Sequence, residues 1–211
     1  FIMASTGEEV SYADFEGRSN RLAQLLRAAG LGIEDHYSVF MENNARYLEA
    51  CAAGERAGLY YTCINSFLTA EEVAYIIQNS ESQVLITSAA KQDVALAAAK
   101  SCPRLKLVLV VDSDSNNLPD MCRDYAEACA EHSDAPISDE RLGTSMLYSS
   151  GTTGRPKGII RPLPPQSPAE PLPLFQFLSQ LWGYQEDMVY LSPAPLYHSA
   201  PQAAVNLALR A

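Results

Sequence analysis

A ten-residue stretch, SSGTTGRPKG at Ser149–Gly158, concentrates the side chains of this 211-residue chain that are best suited to hold an anion. It contains four hydroxyl side chains, three glycines, one proline and two cations. Glycines let backbone N–H groups converge on an anion because they carry no Cβ, and hydroxyls add neutral donors. Lys157 adds a compact cation on a long stem, which suits a terminal phosphate. The stretch is therefore predicted to hold a polyphosphate.

The residues around this stretch also favour an anion. No acidic residue occurs between Glu140 and Glu170, whereas the same window contains four cations: Arg141, Arg155, Lys157 and Arg161. The stretch is not a Walker A loop, because Pro156 precedes Lys157 and no Gly-Lys-Ser/Thr trio is present. A basic surface hairpin that binds no ligand is the alternative that the residues alone leave open.

The elements that must position this stretch alternate between helices and strands. Capping-box spacings at Ser11/Asp14 and Thr69/Glu72 precede apolar stripes and predict helices. Strands are predicted at six short apolar runs: YSVFMEN, LYYTCIN, QVLITS, LKLVLVVD, TSMLYSS and MVYLSPAPLYH. Apolar strands separated by helices predict an α/β fold with mostly parallel sheets covered by helices. The run PDMCRDYAEACAEH is predicted as a helix, and the proline-rich segment 162–173 as an irregular or extended loop.

Composition narrows the class of protein. With 47% hydrophobic and 19% charged residues, and no apolar run long enough to span a bilayer, the chain is predicted to be a globular cytoplasmic protein. The formal net charge of −10 argues against a nucleic-acid partner.

Five cysteines without a CxxC pair are interpreted as buried thiols. A zinc site is only weakly indicated, because a fourth ligand is missing beside the three candidate ligands Cys122, Cys129 and His132.

The segment YSSGTTGRPKG at 148–158 resembles, position by position, the phosphate-loop signature of the adenylate-forming enzymes, which include acyl-CoA synthetases, peptide-synthetase adenylation domains and luciferases. TGEEVSYADFEGRSNRLAQLLRAAGL, NSFLTAEEVAYIIQNSESQVLITS and PLYHSAP resemble other blocks of the same superfamily. The resemblance covers nearly the whole chain and weakens over 112–139 and the proline-rich segment. YYTCINSFLTAEE and PLYHSAP are more similar to acyl-CoA synthetases, and IIRPLPPQSP resembles a branch that acts on longer or bulkier acids.

This resemblance implies an ATP-dependent carboxylic acid–CoA ligase. In this family a substrate carboxylate attacks the α-phosphate of Mg-ATP to give an acyl-adenylate and pyrophosphate, and coenzyme A then displaces AMP. The implied cofactors are ATP, Mg²⁺ and coenzyme A, and the implied partner is a small-molecule carboxylic acid. No residue of this chain is assigned as a metal ligand, and the formation of a homo-oligomer stays open.

The resemblance also implies roles for individual residues. Lys157 would offset phosphate charge and His198, expected at the end of a strand, would lie near the carboxylate and the α-phosphate; both are expected to be catalytic. Tyr197 would lie beside the acyl or CoA path and form the substrate site with His198. Gly158 would let the loop turn away. The expected nucleotide-binding residues are Ser149, Ser150, Gly151, Thr152, Thr153, Gly154, Lys157 and Gly158.

The resemblance suggests a division of the chain as well. Residues 1–211 are expected to be the N-terminal portion of the AMP-binding large domain, with a phosphate loop at 149–158, a proline-rich loop at 162–173 and no C-terminal lid domain. Such a portion is expected to bind nucleotide weakly at best and not to complete the reaction alone. Because a sheet that ends early leaves an edge and an apolar face uncovered, the segment beyond His198 is expected to pack poorly or to borrow a partner's surface.

Two alternatives to the CoA ligase stay open from the sequence. One is an adenylating enzyme that passes its acyl group to a carrier protein or to an oxidation reaction. The other is a non-catalytic nucleotide-binding or interaction module.

Overall fold

A six-stranded parallel sheet organises the computed structural model, which describes residues 1–149, 155–170 and 172–210. The strands of this sheet are β1 (His36–Phe40), β2 (Tyr60–Cys63), β3 (Val84–Ser88), β4 (Leu107–Val111), β5 (Cys122–Asp124) and β6 (Thr144–Ser145). Their order in the sheet is β5-β4-β3-β1-β2-β6, and all the pairings are parallel. Two further strands, β7 (Leu147–Ser149) and β8 (Lys157–Ile159), form an antiparallel pair. The predicted α/β class with a parallel, helix-covered sheet is confirmed.

Four of the described helices begin where a side chain caps the first N–H groups. Ser11 accepts a hydrogen bond from the Asp14 N–H, and Thr69 forms a reciprocal capping box with Glu72, as the two spacings predict. Asn44 and Asp124 cap two further helices. The helices are α1 (Tyr12–Ala28), α2 (Ala45–Arg56), α3 (Ala70–Asn79), α4 (Gln92–Ala99), α5 (Tyr125–Ala130), α6 (Pro173–Trp182) and α7 (Ser199–Arg210).

The strands divide their side chains between two apolar cores on opposite faces of the sheet. In β4, Leu109 enters one core while Val108 and Val110 enter the other, because successive strand residues point to opposite faces. The first core contains buried residues of α1, α2, α5 and α7, and the second contains those of α3 and α4. Burial on both faces explains why the strands read as nearly continuous apolar runs.

Helix α7 packs against the first core, so the expectation that the segment beyond His198 packs poorly is wrong for this structure. Val205 and Leu207 are buried, and Val205 belongs to the first core. The Gln202 amide is also buried and donates to the Cys63 sulfur at 3.0 Å. Arg210 pairs with Glu55 of α2 at 2.8 Å. The helix therefore has its own apolar and polar anchors on the sheet.

Three local predictions differ from the structure. PDMCRDYAEACAEH is not one helix, because Cys122–Asp124 pairs with the edge of β4 and the Asp124 side chain then caps α5. MVYLSPAPLYH forms no strand: Val189 is 97% exposed, and among the described residues no strand pairs with this run. The proline-rich segment is irregular up to residue 170, but Pro173 begins α6, where its fixed φ and missing N–H fit the first helical turn.

All five cysteines are buried thiols, as predicted. Burial raises the pKa of the Cys129 thiol to about 12, which keeps it protonated and unreactive near neutral pH. Cys122 lies on β5 and Cys129 on α5, so the two do not share a helical face. In the described ranges, no three potential metal ligands gather into a cluster. None of the helices described is long and apolar enough to cross a bilayer.

Replacement of Gly143 by alanine should destabilise the fold, whereas the same change at Gly17 should not. A Cβ at Gly143 would lie 2.8 Å from the Leu59 nitrogen and would also meet backbone oxygens of Gly54 and Leu59. We expect a loss of about 1–3 kcal/mol in the free energy of unfolding, the usual cost of overpacking. At Gly17, inside α1, the new Cβ would make an ordinary contact at 3.6 Å with Asp134. Better helix propensity should add up to about 1 kcal/mol there.

Urea unfolding curves of the two variants and the wild-type chain measure this difference. Equal stability of Gly143→Ala and Gly17→Ala would contradict the close backbone packing at Gly143.

Candidate functional site

The predicted anion-binding stretch is the connection of an antiparallel hairpin. Ser149, the last residue of β7, pairs with Lys157, the first residue of β8. Both side chains are exposed. Five of the predicted nucleotide-binding residues lie outside the described residues: Ser150, Gly151, Thr152, Thr153 and Gly154. The described strands thus hold the two flanking residues of the stretch side by side.

Helix α3 holds this hairpin through two residues one turn apart. The Tyr75 hydroxyl donates to the Pro156 carbonyl oxygen at 3.1 Å, and the Arg155 guanidinium lies 5.1 Å from the centre of the Tyr75 ring. The Tyr148 hydroxyl donates to the Asn79 side-chain oxygen at 2.7 Å. Each strand end of the hairpin therefore has an anchor on the same helix. Sequence reasoning missed both anchors, and their only signal is the four-residue spacing of two polar side chains on α3.

Burial raises the pKa of Tyr148, and the nearby Tyr75 hydroxyl adds to the effect. Tyr148 therefore stays protonated and remains a hydrogen-bond donor across the neutral pH range. A third tyrosine bonds the backbone just after β8: the Tyr60 hydroxyl donates to the Arg161 carbonyl oxygen at 2.7 Å. Two tyrosine hydroxyls thus bond backbone carbonyls on either side of β8, and Tyr148 ties β7 to the Asn79 side chain.

Gly158 packs closely against its neighbours in the hairpin, and its expected role in letting the loop turn away stays a prediction. It lies within β8, opposite Tyr148. A Cβ at this position would come 2.9 Å from the Tyr148 ring and would also meet the end of Met146. The missing side chain therefore makes room for Tyr148 to reach Asn79.

His198 lies just before α7, so the expectation that it ends a strand is wrong. A turn fixes its backbone, since its N–H donates to the Pro195 carbonyl oxygen at 3.2 Å. The His198 side chain is exposed, and the Tyr197 ring lies 4.5 Å from it, centre to centre. Tyr197 is half-buried against the first core, and the preceding Leu196 is buried in it. The two expected substrate-site residues are therefore adjacent and differ in exposure.

A cavity of about 470 Å³ lies between the hairpin and α7. The hairpin contributes Tyr148, Ser149 and Ile159 to its wall, and α7 contributes Gln202 and Ala203. Leu174, Phe175 and Leu178 of α6 close it with apolar surface. Within the described residues no hydrogen bond joins the hairpin to Tyr197 or His198. In the described part of the chain, the cavity wall includes Ser199, the residue after His198, but neither Tyr197 nor His198 itself.

Glu55 is one of the polar residues in this cavity wall. Its carboxylate accepts hydrogen bonds from the Tyr61 hydroxyl at 2.9 Å and the Asn206 amide at 3.0 Å. The Arg210 guanidinium pairs with the same carboxylate at 2.8 Å. These partners satisfy a mostly buried charge, so Glu55 ties α2, β2 and α7 together.

Comparison with protein families and curated proteins identifies relatives of this chain. A family model described as AMP-binding enzyme matches residues 1–211. The long-chain-fatty-acid–CoA ligase of Thermus thermophilus is 32% identical over 157 residues, which make up 74% of this chain and 28% of that protein. The 3-oxocholest-4-en-26-oate–CoA ligase of Rhodococcus rhodochrous is 31% identical over 163 residues, covering 75% of this chain and 29% of that protein. The chain thus spans less than a third of the length of these relatives.

A solved structure has the same fold. ATP-bound MatB from Rhodopseudomonas palustris matches 97% of this chain and 39% of its own chain, with a TM-score of 0.73 and 29% sequence identity. The similarity therefore extends over almost the whole described fold.

Replacement of Tyr75 by leucine should loosen the hairpin without unfolding the chain. The variant loses both the hydrogen bond to Pro156 and the ring beneath Arg155, worth about 1 kcal/mol each. We expect amide hydrogens of β8 to exchange about 30-fold faster, because the two losses sum to about 2 kcal/mol and about 1.4 kcal/mol is a factor of ten. Tyr75→Phe keeps the ring and should show a smaller increase. Tyr12→Leu, at an exposed tyrosine of α1, is the matched control. Unchanged β8 exchange in Tyr75→Leu would show that α3 does not hold the hairpin.

Proposed function

Since the chain belongs to the AMP-binding enzyme family, we propose that it forms part of an ATP-dependent carboxylic acid–CoA ligase that works through an acyl-adenylate. The observation that carries this proposal is the hairpin, which presents Ser149 and Lys157 side by side on an anchored base. The stretch that joins the two strands is the predicted phosphate loop.

The electrostatics of the hairpin suit the triphosphate of ATP. The Lys157 ammonium is exposed and, in the part of the chain that is described, has no ion pair. No acidic residue occurs between Glu140 and Glu170 to compete for it. The Ser149 hydroxyl beside it can donate a hydrogen bond to a phosphate oxygen. The described flanks of the loop therefore fit an anionic ligand, in a chain whose formal net charge is −10.

The chemistry required of these residues is to hold a triphosphate and to stabilise charge on a departing pyrophosphate. Bound ATP supplies the electrophilic α-phosphate that a substrate carboxylate attacks. Lys157 would offset the charge that develops on the pyrophosphate oxygens. Tyr75 and Asn79 would keep the hairpin in place, so that little reorganisation is needed when this charge develops. Ser150, Gly151, Thr152, Thr153 and Gly154 are proposed as further phosphate contacts on the family resemblance alone.

The second part of the proposed site is Tyr197–His198 beside the cavity. We assign His198 to the region of the carboxylate and α-phosphate, and Tyr197 to the acyl or CoA path. The apolar wall from α6 favours an acid with an apolar body. Relatives named for a long-chain fatty acid and for a steroid carboxylic acid support this substrate class. Coenzyme A is the proposed acceptor, because both relatives are named as CoA ligases.

The described residues do not fit a magnesium site made by the protein alone. No cluster of three carboxylate, histidine or cysteine side chains is found among them. We therefore assign no step to Mg²⁺.

We further propose that residues 1–211 are the N-terminal portion of the AMP-binding large domain and that the protein is cytoplasmic.

Replacement of Lys157 by alanine should impair adenylate formation. We expect carboxylate-dependent exchange of labelled pyrophosphate into ATP, measured on the full-length gene product, to fall about 100-fold. This is the size of effect produced by removal of one preorganised charge-stabilising group. Lys157→Arg should retain part of the rate, because it keeps a cation. Lys100→Ala, at an exposed lysine beside α4, is the control and should exchange at the wild-type rate. A wild-type rate in Lys157→Ala would overturn the assignment.

The acyl acceptor is tested separately from adenylation. Formation of a CoA thioester after adenylation supports the ligase, whereas transfer only to a carrier protein supports the alternative adenylating enzyme. An absence of carboxylate-dependent exchange with ATP binding retained would favour a non-catalytic nucleotide-binding module.

A further inference from the structure

Asn43 holds the backbone that leads into Tyr197–His198. Its amide nitrogen donates to the Ala194 carbonyl oxygen at 3.0 Å, and its amide oxygen accepts from the Leu196 N–H at 2.9 Å. The two bonds join positions that are about 150 residues apart in the chain. One side chain thus pairs with this segment as a neighbouring strand would, using both a donor and an acceptor.

The place of Asn43 in the fold makes it a rigid anchor. It follows β1, the strand that lies between β3 and β2, and directly precedes Asn44, which caps α2. The two flanking side chains have other partners: Glu42 accepts from the Ser88 hydroxyl at 2.7 Å, and Asn44 accepts from the Arg46 N–H at 2.9 Å. Each of these three successive polar residues therefore has a separate task, and Asn43 is the one that reaches Ala194 and Leu196.

The segment that Asn43 binds leads directly to His198, which is two residues beyond Leu196. Leu196 is buried in the first core, so the segment has an apolar anchor as well as the amide of Asn43. The Pro195 carbonyl, between the two bonded residues, accepts from the His198 N–H at 3.2 Å. The His198 carbonyl then accepts from the Gln202 N–H of α7 at 3.2 Å. The His198 backbone is thus bonded to Pro195, and the residues on either side of Pro195, Ala194 and Leu196, are both hydrogen-bonded to the Asn43 side chain.

We propose that Asn43 is the positioning residue of Tyr197–His198, setting where the exposed imidazole lies relative to the cavity. This inference rests on the proposed function only where it assigns catalytic work to His198. An amide is required, because the site needs a donor and an acceptor at the same time. Aspartate can accept from Leu196 but cannot donate to Ala194, and alanine can do neither.

The test compares Asn43→Ala and Asn43→Asp with the control Asn116→Ala, an exposed asparagine in the turn before β5. The first readout is amide exchange at Leu196 in the 211-residue chain, with a thermal unfolding curve for each variant. We expect about tenfold faster exchange in Asn43→Ala, as for loss of one native hydrogen bond, and an intermediate rate in Asn43→Asp. A second readout is the proton–proton Overhauser contact between the Tyr197 and His198 rings, which should weaken in Asn43→Ala.

The third readout is kinetic and uses the full-length gene product. In Asn43→Ala the kcat of adenylation should fall about tenfold while KM for ATP stays near the wild-type value, because misplacement affects the reacting geometry more than phosphate binding. Asn43→Asp should recover part of kcat.

The outcomes separate the two proposals. Unchanged Leu196 exchange and ring contact in Asn43→Ala would overturn the positioning role. Loss of both only through global unfolding of Asn43→Ala and Asn43→Asp would overturn it too, since Asn43 would then be a folding residue. Faster Leu196 exchange, together with a wild-type protein that shows no adenylation, would leave the positioning role standing and refute the proposed function.

Discussion

Strand β1 lies between β3 and β2 in the parallel sheet, and both apolar cores pack against it. Its side chains are divided between the two cores, with Tyr37 and Val39 in the first and Phe40 in the second. Removal of this strand would separate β3 from β2 and split the sheet. Because parallel strands end at a common edge, the residues that follow β1 lie where an α/β protein of this kind places its ligand.

The two faces of the sheet support different halves of the proposed site. On one face, α3 contributes to the second core and holds the hairpin through Tyr75 and Asn79. On the other face, α2 and α7 contribute to the first core and are joined by the Glu55–Arg210 pair. The cavity lies between these halves. Its geometry therefore depends on the packing of both cores, although few of its wall residues belong to either.

The sequence predicted most of the fold because the signals for it are local. Capping boxes, apolar stripes and continuous apolar strands each depend on neighbours within one element, and Ser11 and Thr69 cap the helices that they predicted. The wrong predictions concern segments whose secondary structure is decided by contacts with distant parts of the chain. Cys122–Asp124 becomes a strand because β4 offers it an edge, and MVYLSPAPLYH stays irregular without such an edge among the described residues. For the same reason Tyr75, Asn79 and Asn43 could not be assigned to the site, since their partners are 69–153 residues away.

In the proposed function, the β7–β8 hairpin and the stretch Ser149–Gly158 hold the phosphates of ATP. A titration of the isotope-labelled 211-residue chain with millimolar ATP, followed by backbone and side-chain NMR shifts, tests it most directly. We expect weak, saturable shifts at Ser149, Lys157 and Gly158 that inorganic sulfate does not reproduce at equal ionic strength. Shifts confined to the face formed by α1 and α5, or no shifts in the hairpin at any ATP concentration, would contradict it.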